Sequence, residues 1–197
     1  MCTKEAKQYD RAMSLLERGT LGRLRQVLLS EVNGRVLEIG AGTGVNLPIY
    51  TQASHVTAVD VDAKKLAGTA VRRETAVVPF TICQANAQQL PFASGQFDNV
   101  VGTLVFCSIP QPEAALAEIR RVLKPNGRLF LLEHVRGQNP IMQRLTDWLH
   151  PAWFALQKEC HLNRETAVTV QNNGFNIEQT TVHGWGILQM IRARPIE

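Results

Sequence analysis

The chain has 197 residues, 45% of them hydrophobic and 19% charged, with a net charge of +4. That length suits a single α/β domain with its own core. The apolar content excludes a disordered, collagen-like or disulfide-stapled secreted chain, while the basic excess leaves nucleic acid open as a partner until the charges are placed.

Residues 4–31 read as helix, with Ala6, Tyr9, Met13 and Leu16 at helical spacing, a break at Gly19, and a second stripe of Leu21, Leu24, Val27 and Leu28 ending at Gly34. A strand, Arg35 to Gly40, runs into a glycine cluster, and helix-like sequence follows from about Asn46. Strands are expected at 55–60, 79–83, 96–103 and 128–133, with helices at 62–75 and 111–123 and a turn at Pro125-Asn126-Gly127. Residues 140–157 and 164–173 look helical, and 175–183 and 187–193 look like a closing pair of strands. Strands alternating with helices predict an α/β, doubly wound, mostly parallel seven-stranded sheet with an antiparallel hairpin at its edge. The whole of 1–197 reads as one domain. It divides into N-terminal helices (1–31), a ligand-binding core (32–135), a helical insertion that would cover the substrate (136–173) and final strands (174–197).

Cys2, Cys83, Cys107 and Cys160 are widely spaced with no C-x-x-C pair, which predicts no metal site and a reducing compartment. The N-terminus shows no signal-peptide pattern and no apolar run reaches the length of a membrane span. A soluble, cytoplasmic chain is therefore expected.

In a parallel sheet the chemistry belongs just after the strands. Glu38-Ile39-Gly40-Ala41-Gly42-Thr43-Gly44 follows the first strand with G-x-G-x-G spacing rather than the G-x-G-x-x-G of dinucleotide binders. Glu38 suits a ligand ammonium and the loop N–H groups suit a carboxylate, which together suggest an amino-acid moiety. Asp60 ends the second strand, where an acid can accept both hydroxyls of a ribose. Its alternative is capping the next helix, a job for which Asp62 is better placed.

With these motifs in order, and with Leu90-Pro91-Phe92 before Phe97-Asp98 and Val122-Leu123-Lys124-Pro125-Asn126-Gly127-Arg128 after them, the chain resembles the Rossmann-like class I S-adenosylmethionine-dependent methyltransferases of the type 11 group. Thr103–Ile109, Glu118–Leu123, Leu132-Glu133-His134-Val135 and Glu159–Thr166 are similar to the thiol S-methyltransferases and to bacterial relatives that include phospholipid N-methyltransferases. The resemblance implies S-adenosylmethionine as cofactor. Glu38, Gly40, Ala41, Gly42 and Gly44 would hold its methionine part, Asp60 and Val61 its ribose and adenine, Asn86 and Ala87 the adenine edge, and Thr103 would lie near the sulfonium. Asn86 stands where the family usually has Asp; an amide oxygen can accept the same hydrogen bond. The animal members begin with a hydrophobic anchor that residues 1–31 do not match.

The expected acceptor is a small thiol or another lipophilic soft nucleophile. The alternatives are a phospholipid or quinone-type lipid and, in another class, a cofactor-binding protein without catalysis. His134, directly after the fifth strand, is the candidate base, with a strand-end hydrogen-bonding role as the alternative and Glu133 as competitor. The Leu145, Trp148, Leu149, Trp153, Phe154 stripe reads as core or as a lid over an apolar substrate. Cys160 stays undecided between a buried small side chain and a catalytic thiol. Nucleic acid is excluded as a partner: Cys107-Ser108-Ile109-Pro110 lacks the aromatic-bearing motif of base methylation, and the Lys and Arg residues form no stripe. Lys4, Lys7 and Arg11 with Tyr9 and Met13 permit weak peripheral membrane contact, although Glu5, Asp10 and Glu17 interrupt the cationic face. Oligomeric state has no sequence signal.

Overall fold

A computed structural model describes residues 19–157 and 160–196. The expectations for Tyr9, Met13 and the rest of 1–18 lie outside the described residues. Helix α1 (Thr20–Leu29) buries Leu21, Leu24 and Leu28 of the expected stripe together with Leu29 and Arg25, whereas Val27, expected in that stripe, is exposed. Strand β1 (Asn33–Ile39) follows, and its last four residues are fully buried. Such a run needs cover on both faces. Successive residues supply it alternately: Val36 joins the core built with Leu24, Leu47 and Tyr50, while Leu37 and Ile39 join the core on the other face. The same alternation divides Val100 from Val101 in β4 (Phe97–Thr103) and Leu129 from Phe130 in β5 (Leu123–His134).

With β2 (Gln52–Asp60), β3 (Phe80–Gln84), β6 (Phe175–His183) and β7 (Leu188–Pro195), the sheet has the order β3-β2-β1-β4-β5-β7-β6. The pairs from β3 to β5 are parallel and β7 is antiparallel to both neighbours. The doubly wound sheet with its edge hairpin is thus as expected. Strand order reverses between β1 and β4, so the crevice lies at their carboxyl ends. Helices α2 (Ala63–Ala67), α3 (Pro112–Val122), α4 (Pro140–Gln157) and α5 (Thr166–Asn172) complete the α-helices of the described residues. Glu118 and Arg121 of α3 clamp the Leu90-Pro91-Phe92 loop: Glu118 accepts from Leu90 N at 2.8 Å, and Arg121 donates to Phe92 O at 2.6 Å and to Leu90 O at 3.0 Å.

Four local expectations need correction. No helix follows Asn46. Consecutive tight turns run from 42 to 49, closed by Gly44 N to Ala41 O, Leu47 N to Gly44 O and Ile49 N to Asn46 O at 2.8–3.0 Å; Pro48 supplies no N–H and disfavours helical backbone at Leu47. The expected helix at 62–75 divides into α2 and a 3₁₀ turn, Gly68–Arg72, at the glycine. The expected turn at Pro125 lies inside β5 as a shift in register against β4, a position that a strand proline tolerates. The apolar stripe of α4 does not build the core, since its Leu145, Trp148, Leu149 and Phe154 are all exposed, Trp148 to 76%. No helix of the described residues is long and apolar enough to cross a membrane.

Candidate active site

A cavity of about 440 Å³ opens over the carboxyl ends of β1, β2 and β4, a size common for small-molecule sites. Glu38, Gly40, Ala41, Gly42, Asp60, Val61, Asn86, Ala87 and Thr103 all line it. Of the residues expected at the cofactor, Gly44 is not in the wall; it packs against Leu47 and Thr69. The glycine loop turns through left-handed backbone. At Gly40 (φ +62°) a Cβ would stand 2.2 Å from Val105 Cγ2, so the loop touches the chain leaving β4. Gly42 (φ +55°) faces open space. Gly40→Ala therefore combines left-handed strain with overpacking, and should lower stability by about 3 kcal/mol, read by urea denaturation.

Below the loop lies a buried polar network that the sequence did not reveal. Asn46 Nδ2 donates to Glu38 Oε1 at 2.9 Å and to Thr103 Oγ1 at 3.0 Å. Arg25, 6% exposed, donates to Asn46 Oδ1 at 2.9 Å and to Thr103 Oγ1 at 2.5 Å. Arg25 and Asn46 also line the cavity. Glu38 Oε2 is buried without a hydrogen-bond partner, and the Tyr50 hydroxyl close by makes no well-aligned bond to it. Burial raises the Glu38 carboxyl to about 7, although Tyr50, Asn46 and Arg25 each favour its charged form. Tyr50 is held well above its ordinary value by burial and by Glu38.

Asp60, at the end of β2, accepts from Gly42 N through Oδ2 and from Asp62 N through Oδ1, both at 2.9 Å. Asp62 takes the capping role, accepting from Lys64 N at 2.8 Å and Lys65 N at 3.3 Å. This leaves Asp60 on the cavity wall. Val61 is 61% exposed beside it, an uncovered apolar side chain. Asn86 Oδ1 accepts from Gln88 N at 2.9 Å, so one of its two lone pairs is already used.

At the exit of β4 the wall is formed by Leu104, Val105, Ser108, Ile109 and Pro110. Leu104 has φ 55°, a strained conformation held by its N–H to Leu132 O at 2.7 Å. Glu133, fully buried, receives Val105 N at 3.1 Å and also attracts the Phe106 and Cys107 amides. Burial raises it to about 7 as well. It is thus a clamp for the loop rather than a wall residue. His134 is also absent from the wall; half-buried at the end of β5, it stands with Cys107 and Cys160. The Cys107 thiol is pushed up by hydrogen bonding to Cys160 and by burial. Asp98, at the opposite end of the sheet, bonds Arg35 N at 2.8 Å and Lys124 Nζ at 2.6 Å, which lower its carboxyl.

The two raised carboxyls set a pH dependence. Below the ordinary value of 4.5 both are neutral in folded and unfolded chains. Between 4.5 and about 7 the unfolded chain ionises freely while the fold holds the protons. Stability without ligand should therefore fall as pH rises from 5 to 7.5, by up to about 3 kcal/mol for each carboxyl. Urea midpoints across that range check it.

Residues 37–131 match the family described as methyltransferase domain. The chain is 32% identical to thiol S-methyltransferase TMT1B of Rattus norvegicus over 185 residues, covering 89% of this chain and 73% of that protein. It is 31% identical to the ubiquinone/menaquinone biosynthesis C-methyltransferase UbiE of Rhizobium johnstonii, covering 73% of this chain and 60% of that one. An S-adenosylmethionine-dependent methyltransferase from Thermotoga maritima shares the fold with a TM-score of 0.71 at 20% identity, over 96% of this chain and 95% of that one.

Proposed function

Because the chain belongs to the S-adenosylmethionine-dependent methyltransferases, we propose that its acceptor is a small, lipophilic thiol and that the cavity holds cofactor and acceptor side by side. When bound, the cofactor supplies a methyl group on a sulfonium, open to in-line displacement. The residues of this chain fit it. The orphaned Glu38 Oε2 suits the ammonium, and the Arg25 guanidinium suits the carboxylate of the same methionine part. Asp60 retains lone pairs for the ribose hydroxyls beyond its two backbone bonds. Val61 offers its uncovered side to adenine, whose edge meets Asn86 and Ala87. The loop of Gly40, Ala41 and Gly42 turns around the methionine part, with Gly44 holding that turn against Leu47 and Thr69. Thr103, fixed by Arg25 and Asn46, would face the sulfonium.

The observation that carries the thiol reading is the acceptor-side wall. Leu104, Val105, Ser108, Ile109 and Pro110 present no titratable side chain. A thiol suits such a wall, because it is partly ionised near neutrality and needs alignment and exclusion of water more than a base in contact. The thiol S-methyltransferase similarity, over most of both chains, supports the same class. His134, away from the wall, would then act on the loop rather than on the acceptor. With thiols of different acidity, and with S-adenosylmethionine saturating at every pH so that Glu38 does not enter the profile, the pH dependence of kcat/KM for the thiol should shift with the pKa of the thiol itself. A profile with one pKa for every thiol would instead assign proton removal to the protein, and to His134 first. A quinone-type or phospholipid acceptor is the second reading, favoured by the UbiE similarity and by the exposed Ile141 and Trp148 of α4, which would also serve peripheral membrane contact.

Asn86→Asp restores the acid usual in the family and adds charge to the adenine-edge bond. Cofactor affinity should rise by about 3- to 10-fold, measured by calorimetry.

A further inference from the structure

Three soft ligands from three separate segments meet beside the β4 exit. Cys107 lies in the loop after β4, His134 ends β5, and Cys160 lies beyond α4; one ligand atom from each falls within 4.8 Å of the other two. Cys107 is buried and the other two are half-buried. We infer that Cys107, His134 and Cys160 form a binding site for a thiophilic d¹⁰ cation, zinc(II), with one coordination position left open. Two sulfurs and one imidazole nitrogen form a donor set that zinc takes in tetrahedral sites with a free fourth place. Ligand bonds of about 2.3 Å to sulfur and 2.0 Å to nitrogen require donor atoms some 3.3–3.8 Å apart. From within 4.8 Å of one another, the three atoms need close by at most about 1–1.5 Å to reach that spacing.

The segments carrying these ligands are already tied to one another. His161 N donates to Cys107 O at 2.9 Å, joining the two cysteine segments. Arg136 N donates to Arg164 O at 3.0 Å, joining the exit of β5 to the second of them. The Arg164 guanidinium donates to Phe106 O. Under the loop, the buried Glu133 carboxylate draws in the amides of 105–107 while its Oε2 has no partner. It thereby orients the Cys107 segment from behind the site, as outer groups do around metals. Two thiolates also balance the charge of one divalent cation. The wide spacing that argued against zinc in the sequence concealed a cluster assembled only by the fold. Bound zinc would fasten the segment after α4 to the cavity wall, since Cys107 adjoins the wall residue Ser108.

Cobalt(II) titration of the reduced, chelator-stripped full-length protein tests this without relying on any variant. The expected result is a sulfur-to-cobalt charge-transfer band that saturates at one equivalent, is displaced by zinc, and is lost in Cys160→Ser and in Cys107→Ser. Glu133→Gln should weaken zinc binding by about 10-fold or more. No band in the wild type, a band unchanged in Cys160→Ser, retention of copper(I) with no affinity for zinc or cobalt, or a Cys107–Cys160 disulfide in place of metal would each overturn the inference.

Discussion

Glu38→Gln should lower S-adenosylmethionine affinity by about 100-fold or more and, in the same variant, raise the stability of the ligand-free protein. Both effects arise from one buried carboxyl. Its Oε1 is satisfied by Asn46 Nδ2 at 2.9 Å, while Oε2 has no partner and the group is raised to about 7. Without ligand, a charge at this position is costly. Glutamine keeps the acceptor for Asn46 and offers its amide to the nearby Tyr50 oxygen, so the fold gains. With the cofactor bound, the ammonium supplies the missing charge, and removing one member of a buried ion pair costs about 3–5 kcal/mol. Calorimetry and thermal denaturation on the same samples read both signs. A variant that loses stability and keeps affinity would place the ammonium elsewhere. Proton release follows from the same account. At pH 6 the free Glu38 is mostly protonated, and the bound ammonium favours its charged form. Cofactor affinity should thus rise with pH between 5 and 7.5, while the stability of the free protein falls.

Asp60→Ala is the second large effect. The carboxylate accepts Gly42 N and Asp62 N at 2.9 Å each and would also receive the ribose hydroxyls. Alanine removes those acceptors together and leaves two amides without them. Charged hydrogen bonds contribute about 1.5–3 kcal/mol each, so cofactor affinity should fall by about 100-fold and stability by about 2 kcal/mol. Asp60→Asn separates the two roles, because one amide oxygen can still serve one backbone N–H. It should recover most of the stability while affinity stays at least 10-fold low. A full recovery of affinity would show that the ribose does not depend on this charge.

The extent to which the site was readable in advance follows the range of the interactions. Gly40, Gly42 and Asp60 announce themselves because a tight turn after β1 and an acid ending β2 are local features of the chain. Arg25 does not: it looks like a surface cation in an amphipathic helix, and its partner Thr103 lies 78 positions away. Asn46 was hidden by the expectation of a helix that Pro48 prevents. The doubly wound order was legible from the alternation of apolar runs, whereas the register shift that takes Pro125 into β5 depends on pairing with Phe97 and Asn99. His134 was placed correctly at the end of β5 and expected at the acceptor; only the packing of the β4 exit sets it beside Cys107 and Cys160. A stripe such as that of α4 has the same spacing whether it faces a core or solvent, and exposure of Trp148 and Leu149 could not be read from it.

The most direct measurement is a competition for one pool of S-adenosylmethionine carrying a labelled methyl group. A small lipophilic thiol, a phosphatidylethanolamine vesicle and a reduced quinone are offered together at equal concentration, and products are separated by mass. The label is expected in the methyl thioether, at a rate that Glu38→Gln reduces by about 100-fold at subsaturating cofactor through lost cofactor binding. Label in the lipid or the quinol, with none in the thioether, would contradict the thiol assignment.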